Sequence, residues 1–167
     1  MTYFAAAVSR TDEGWAGREL DLHDYDDLEG LTEDLRDLSG EAPGPTLLLL
    51  EEDDEYVGVV RVDGSAGALD EPRVFLSDRR AVLTNGVSSL LWEDDGAEAS
   101  SDEDDEDEGI RPVAEPVGDA GLLADLGTPA EVLLDLCAEE GLLPADVLTG
   151  VAERAGFLEV LDSLREA

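Results

Sequence analysis

Apolar and polar residues alternate from the start of the chain. In YFAAAVSR, Tyr3, Ala5 and Ala7 interleave with Phe4, Ala6 and Val8; after TDEG, the run WAGRELDL puts Leu20 and Leu22 on one face. Two period-2 stretches around a short Asp- and Gly-containing turn predict a β-hairpin. The period then changes. In HDYDDLEGLTEDLRDLSG, Leu28, Leu31, Leu35 and Leu38 recur at helical spacing against acids, which predicts an amphipathic helix with Asp24 as N-cap and Gly40 as stop. EAPGP is a loop by composition. TLLLLEE and EYVGVVRVD read as two strands around an acidic turn at Asp53 and Asp54, with Val57, Val59 and Arg61 on one face and Gly58, Val60 and Val62 on the other. After the loop SAGALDEP, RVFLSD predicts a fifth strand; RRAVLTNGVSSLLW reads as a short strand or turn and then a helical piece.

The last third returns to helical grammar. LGTPAEVLLDLCAEEG offers Thr128 as N-cap, Pro129 at the first helical position and Gly141 as stop, with Val132, Leu133, Leu136 and Cys137 as the buried stripe. LLPADVLTGVAERAG has Pro144 near its start and Gly156 at its end, and Phe157 to Leu164 supply a third short helix. Sequential strands joined by short turns imply an antiparallel sheet. The expected class is α+β: about five antiparallel strands with one packed helix, in the order β-β-α-β-β-β, then an acidic disordered insert and C-terminal helices. The expected organisation is an antiparallel α+β domain over 1–92, an acidic flexible linker over 93–111 and a C-terminal helical segment over 112–167, packed on the first domain. The element order resembles profilin- or longin-type small domains, a topological likeness that carries no activity.

Composition adds charge to this picture. Among 167 residues the ten basic ones are all Arg, Lys and Gln are absent, and Asn85 and Ile110 are single, a skew that a GC-rich coding sequence produces. The net charge is −34, of which residues 93–108, in WEDDGAEASSDEDDEDEG, carry −11 with no basic residue. Most of the excess therefore lies outside that run. Such a surface argues against direct binding to nucleic acid or anionic lipid and suits a basic protein partner. One cysteine cannot form an internal disulfide, MTYFAAAVSR lacks a basic n-region, and TLLLL is far too short to span a bilayer. A cytoplasmic protein without membrane contact is expected.

Candidate chemistry is sparse. An EF-hand register can be drawn through Asp104, Glu106, Glu108, Gly109 and Glu115, but Arg111 takes the usual apolar position and Pro112 follows, so a solvated linker is the better reading. The better-placed acids are those of the first helix, Asp24, Asp26, Asp27, Glu29, Glu33, Asp34 and Asp37. They form either a protein-docking face, phosphate-like in its charge, or an ordinary solvent face. His23, the only histidine, sits among carboxylates in HDYDD without an assignable second partner. Cys137 lies on an apolar stripe, and one His with one Cys cannot build a zinc site. GVSSLLW has no nucleophile elbow and no phosphate loop; Trp15 and Trp92 read as core anchors, and Arg79 and Arg80 as local charge compensation. No catalytic residue, cofactor or metal is expected, and the protein is expected not to be an enzyme.

Two blocks carry a family likeness: YFAAAV, W, ELDL, DLEGL and LRDL between Tyr3 and Leu38, and GDAGLLADLGTPAEVLLDLCAEEGLLPADVLTGVAERAGFLEVLDSLRE from Gly118 to Glu166. Together they resemble the actinobacterial tRNA adenosine deaminase-associated proteins, a likeness that spans most of the chain and leaves out the acidic insert. The resemblance implies a place beside the deaminase gene and brings no catalytic residues. The deaminase itself needs H-x-E and P-C-x-x-C motifs; here Asp24 and Tyr25 follow His23, and Cys137 stands alone. The function expected is a non-enzymatic accessory or regulatory protein whose partner is the tRNA adenosine deaminase or another basic protein, docked through acidic surfaces. The alternative is a small ligand-sensing or scaffold module linked to the deaminase only by gene order; an unrecognised enzyme is a third.

Overall fold

A computed structural model describes residues 3–11, 14–25, 27–39, 45–52, 56–63, 73–78, 116–138 and 143–166. The N-terminal alternation becomes a hairpin of β1 (Tyr3–Thr11) and β2 (Gly14–Glu19), followed by a 3₁₀ turn at Leu22–Asp24 and α1 (Leu28–Ser39). Strands β3 (Pro45–Glu52), β4 (Tyr56–Asp63) and β5 (Arg73–Leu76) follow. The C-terminal part contributes β6 (Val117–Gly118), a 3₁₀ helix at Ala120–Leu126, and α2 (Ala130–Ala138), α3 (Pro144–Ala155) and α4 (Leu158–Glu166). The described strands form one antiparallel sheet in the order β2-β1-β3-β4-β5-β6. The α+β class and the β-β-α-β-β-β order hold; β6 adds a sixth strand to the expected five. RRAVLTNGVSSLLW beyond Asp78, the acidic run, Gly40, Gly141, Trp92 and the EF-hand register lie outside the described residues.

Strict alternation along the central strands gives the sheet two cores. Ala5, Ala7, Leu48, Leu50, Val60 and Val62 face α1, where Leu31 and Leu35 are fully buried on them together with Leu20 and Leu22. Val8, Leu47, Leu49, Val57 and Val59 face the other way and meet Leu122, Leu133, Leu148, Phe157 and Leu161. The C-terminal helices thus share a core with the sheet. Each fully buried aliphatic side chain contributes about 1.5–3 kcal/mol, so both layers are strongly anchored.

Polar side chains mark the margins of these cores. Ser9 and Thr46, directly paired across β1 and β3, share a buried hydroxyl–hydroxyl hydrogen bond of 2.8 Å on the α1 side. On the opposite side Glu51 forms an ion pair of 3.6 Å with Arg165. Arg165 also donates to the Thr149 hydroxyl at 3.0 Å and the Ala145 carbonyl at 3.1 Å, tying the end of α4 to α3. Arg61, the one charge in VGVVRV, is buried beneath the 3₁₀ helix; it donates to Asp125 through both terminal nitrogens, at 2.6 and 3.0 Å, and to the Leu122 carbonyl at 2.7 Å. Helix α4 comes so close to β2 that a Cβ on Gly17 would stand 2.8 Å from Val160 Cγ1 and 2.9 Å from Val8 Cγ1.

Candidate functional site

Helix α1 presents two unlike faces because its leucines and acids alternate with the helical period. Leu31 and Leu35 press onto the sheet, while Asp27, Glu29, Glu33, Asp34 and Asp37 are exposed on the helix and its entry, and Asp24 is exposed in the 3₁₀ turn before it. Asp26 lies outside the described residues. Six of the seven acids expected to form a docking surface therefore reach solvent, and Glu29, Glu33 and Asp37 form one row at four-residue spacing. Like charges so spaced cost an isolated helix about 0.2–0.5 kcal/mol per pair.

Asp24 does not cap α1. The helix begins at Leu28, and Asp27 Oδ1 accepts from the Gly30 backbone N–H at 2.9 Å. Asp24 instead closes the 3₁₀ turn, which is capped by Asp21 through the His23 N–H at 3.0 Å. Tyr25 donates its hydroxyl to Asp34 Oδ2 at 2.6 Å. Burial, reinforced by that carboxylate, pushes the Tyr25 phenol up to about 12.

His23 finds the neighbour that sequence reading could not assign. Its Nδ1 lies 3.4 Å from Asp21 Oδ1, and its ring meets Tyr3 edge-on at 5.3 Å. Tyr3 donates its hydroxyl to Asp21 Oδ1 at 2.7 Å and accepts from the Leu22 N–H at 2.9 Å. The hydrogen bond from Tyr3 holds the Asp21 carboxyl below its ordinary range, whereas burial and Asp21 raise the Tyr3 phenol. The imidazole and carboxylate are 71% and 62% exposed, so bulk water, rather than a closed cleft, surrounds this pair.

Cys137 is half-buried, and burial pushes its thiol up to about 12, which keeps it protonated and unreactive at neutral pH. Trp15 packs on Phe157 with ring centroids 5.0 Å apart, as an anchor between β2 and the C-terminal layer. Among the described residues no group of three His, Cys, Asp or Glu side chains is placed to hold a metal ion. No described helix is long and apolar enough to cross a membrane.

These features define a small, strongly acidic α+β protein, its antiparallel sheet covered on one side by a carboxylate-lined helix and on the other by a C-terminal helical layer. The chain belongs to the Rv3753c-like tRNA adenosine deaminase-associated protein family, whose model matches residues 3–158. It is similar to Protein Rv3753c of Mycobacterium tuberculosis, with 30% identity over 161 residues that cover 96% of this chain and 86% of the relative. No solved structure matches.

Proposed function

We propose that this protein is a non-enzymatic accessory protein of the cytoplasm that binds the tRNA adenosine deaminase and regulates its stability, assembly or access to tRNA. The observation that carries the reading is the exposed carboxylate face of α1, taken with the family's name. A surface that handles tRNA is basic, and Glu29, Glu33 and Asp37 form an unbroken anionic row opposite the apolar face that fixes α1 to the sheet. Repulsion along that row is relieved when a cationic surface lies over it, and the net charge of −34 raises the encounter rate with such a partner. Where a ligand-sensing module would seat its ligand, between sheet and C-terminal helices, Leu122, Leu123, Leu133, Leu148, Phe157 and Leu161 are fully buried, which favours the docking reading.

The test is binding of the purified protein to the deaminase of its own organism at low and moderate salt, with tRNA as competitor. Saturable binding that weakens steeply with salt and is displaced by excess tRNA is the expected result. Binding that tRNA cannot displace would remove the acidic face from the account. Absence of binding at both salt concentrations would leave gene order as the meaning of the family name.

A further inference from the structure

Strand β2 ends the sheet, and it is exposed along its length except at Trp15, which is half-buried. One contact fixes the phase of its hydrogen bonds. The Leu20 N–H donates to the Ala5 carbonyl at 2.9 Å, and these two residues continue the β1–β2 register. Narrow and wide pairs alternate in an antiparallel ladder, so Arg18, Ala16 and Gly14 also turn their backbone groups towards β1. Trp15, Gly17 and Glu19 turn theirs outwards, where no described strand receives them. Sheet edges are ordinarily guarded by proline, by a bulge or by charges. Here there is no proline, the register with β1 runs unbroken from Glu19 to Gly14, and the two charges, Arg18 and Glu19, cancel.

On a chain of net charge −34, this neutral edge is where a second copy meets least repulsion. The edge is also self-complementary. Set antiparallel about a two-fold axis through Gly17, two copies pair Trp15 with Glu19, Gly17 with Gly17 and Glu19 with Trp15, so every outward backbone group of β2 finds a partner. The intervening residues, whose side chains face the α1 side of the sheet, then put Arg18 of each copy opposite Ala16 of the other, a long side chain beside a small one. Ala16, with Ser9 and Thr11, borders a hollow of about 130 Å³ that gives the arginine stem room. On the other side of the sheet, α4 packs across β1 and β2. With strands about 4.8 Å apart, the two α4 axes would stand about 10 Å apart across the dyad, close to the spacing of packed helices. Val160, half-buried over Gly17 in each copy, fills the space between them. A cationic strand from another protein would find only Glu19 to pair with along this edge.

We propose that two copies of this chain join through their β2 edges into a two-fold dimer with one continuous sheet and Gly17 at its axis. The interface is separate from the acidic face of α1 and does not rest on the deaminase reading. Its salt dependence has the opposite sign to that of docking on a basic partner: salt screens the repulsion between two anionic chains, so association tightens as ionic strength rises.

The full-length protein is followed by sedimentation velocity from low to high micromolar concentration, at low and moderate salt. A reversible monomer–dimer equilibrium, tighter at the higher salt, is the expected result. Amide hydrogen exchange of the dimer, read residue by residue by NMR, should show protection of Trp15, Gly17 and Glu19 that the dilute monomer lacks. Glu19→Pro removes an outward N–H that β1 does not use, and should weaken dimerisation about ten-fold or more. Ala16→Glu sets a carboxylate opposite Arg18 of the second copy and should tighten the dimer about three-fold, whereas Ala16→Arg should loosen it about as much. Diffuse charge would give the reverse order, because the first variant adds to the negative charge of the chain and the second subtracts from it. A chain that stays monomeric at the highest concentration, a dimer whose protection spares β2, or the reverse order of the Ala16 variants would overturn the proposal. So would protection of β2 by acetyl-Arg-Val-Arg-Val-Arg-Val-amide at a lower concentration than self-association needs, which would assign the edge to a basic strand. The deaminase takes no part, so a negative result here leaves the accessory reading standing, and a failed deaminase assay leaves the dimer standing.

Discussion

Replacing Asp125 by asparagine tests how the C-terminal layer is fastened to the sheet. Arg61 rises from β4 with its side chain only 7% exposed and grips Asp125 through two bonds of 2.6 and 3.0 Å. Breaking a wholly buried ion pair costs about 3–5 kcal/mol. Here Asp125 is 63% exposed, so water competes at its outer end and the loss is smaller. Two charge-assisted bonds reduced to one neutral acceptor point to about 2 kcal/mol. Urea unfolding followed by far-UV circular dichroism measures it, and a double-mutant cycle with Arg61→Met isolates the pair. Asp125→Asn should cost about 2 kcal/mol in the native background and less than about 0.5 kcal/mol once Arg61 is methionine. The pH dependence carries a second signature. The hydrogen bonds from Arg61 lower the folded carboxyl below its ordinary 3.8. Its stabilisation is therefore fully present above that value and is lost as pH falls through the folded pKa, so native protein and Asp125→Asn should converge in stability below pH ~4. A coupling energy near zero, or a gap that persists into strong acid, would refute the reasoning.

Other positions give sharp expectations. Gly17→Ala should destabilise by about 1–3 kcal/mol through clashes with Val160 and Val8, and Val160→Ala, which removes only the first of them, should restore part of it; thermal or urea unfolding of the three variants decides, and a Gly17→Ala chain as stable as the native one would show that α4 does not press on β2 there. Leu35→Ala, at a position with no exposure, should cost about 2–5 kcal/mol by the same assay, whereas Glu33→Gln on the outer face should cost nothing or stabilise slightly. Cys137 should react with a thiol reagent at pH 8 many times more slowly in the native state than in denaturant, because its thiol lies near 12 when folded; equal rates would mean that the α2 packing is open.

Much of this fold is legible from period alone. The change from alternation to helical spacing between Leu22 and Leu28 marks the entry to α1, and Val57, Val59 and Arg61 share a face as the period-2 reading requires. Gly156 ends α3 in the left-handed region at φ 99°, where a side chain is strained. Features set by contact were not legible. AGLLADL becomes a 3₁₀ helix because Leu122, Leu123 and Leu126 must reach the sheet within one short segment, and no periodic signal announces that. Thr128, expected as an N-cap, is buried with no hydrogen bond to its hydroxyl among the described residues; the first turn of α2 closes instead on the Pro129 carbonyl, which accepts from Leu133. The acids of α1 could be read directly, since the outer face of an amphipathic helix follows from its inner one. The bond between Tyr3 and Asp21 could not, because the two stand 18 residues apart and only the hairpin joins them.

The four consecutive leucines of β3 have a consequence for strand register. A strand that is apolar on both faces does not specify its own alignment: slide Leu47–Leu50 by one residue, and leucine still meets both cores. The flanks must carry that information. A one-residue slip would turn Thr46 away from Ser9 and into the apolar C-terminal core, and would swing Glu51 from Arg165 towards the leucines beneath α1. Two polar residues at the ends of an otherwise featureless word act as its reading-frame marks, and alignment errors during folding should be far commoner in a Thr46→Val, Glu51→Leu chain than its gain in hydrophobicity suggests.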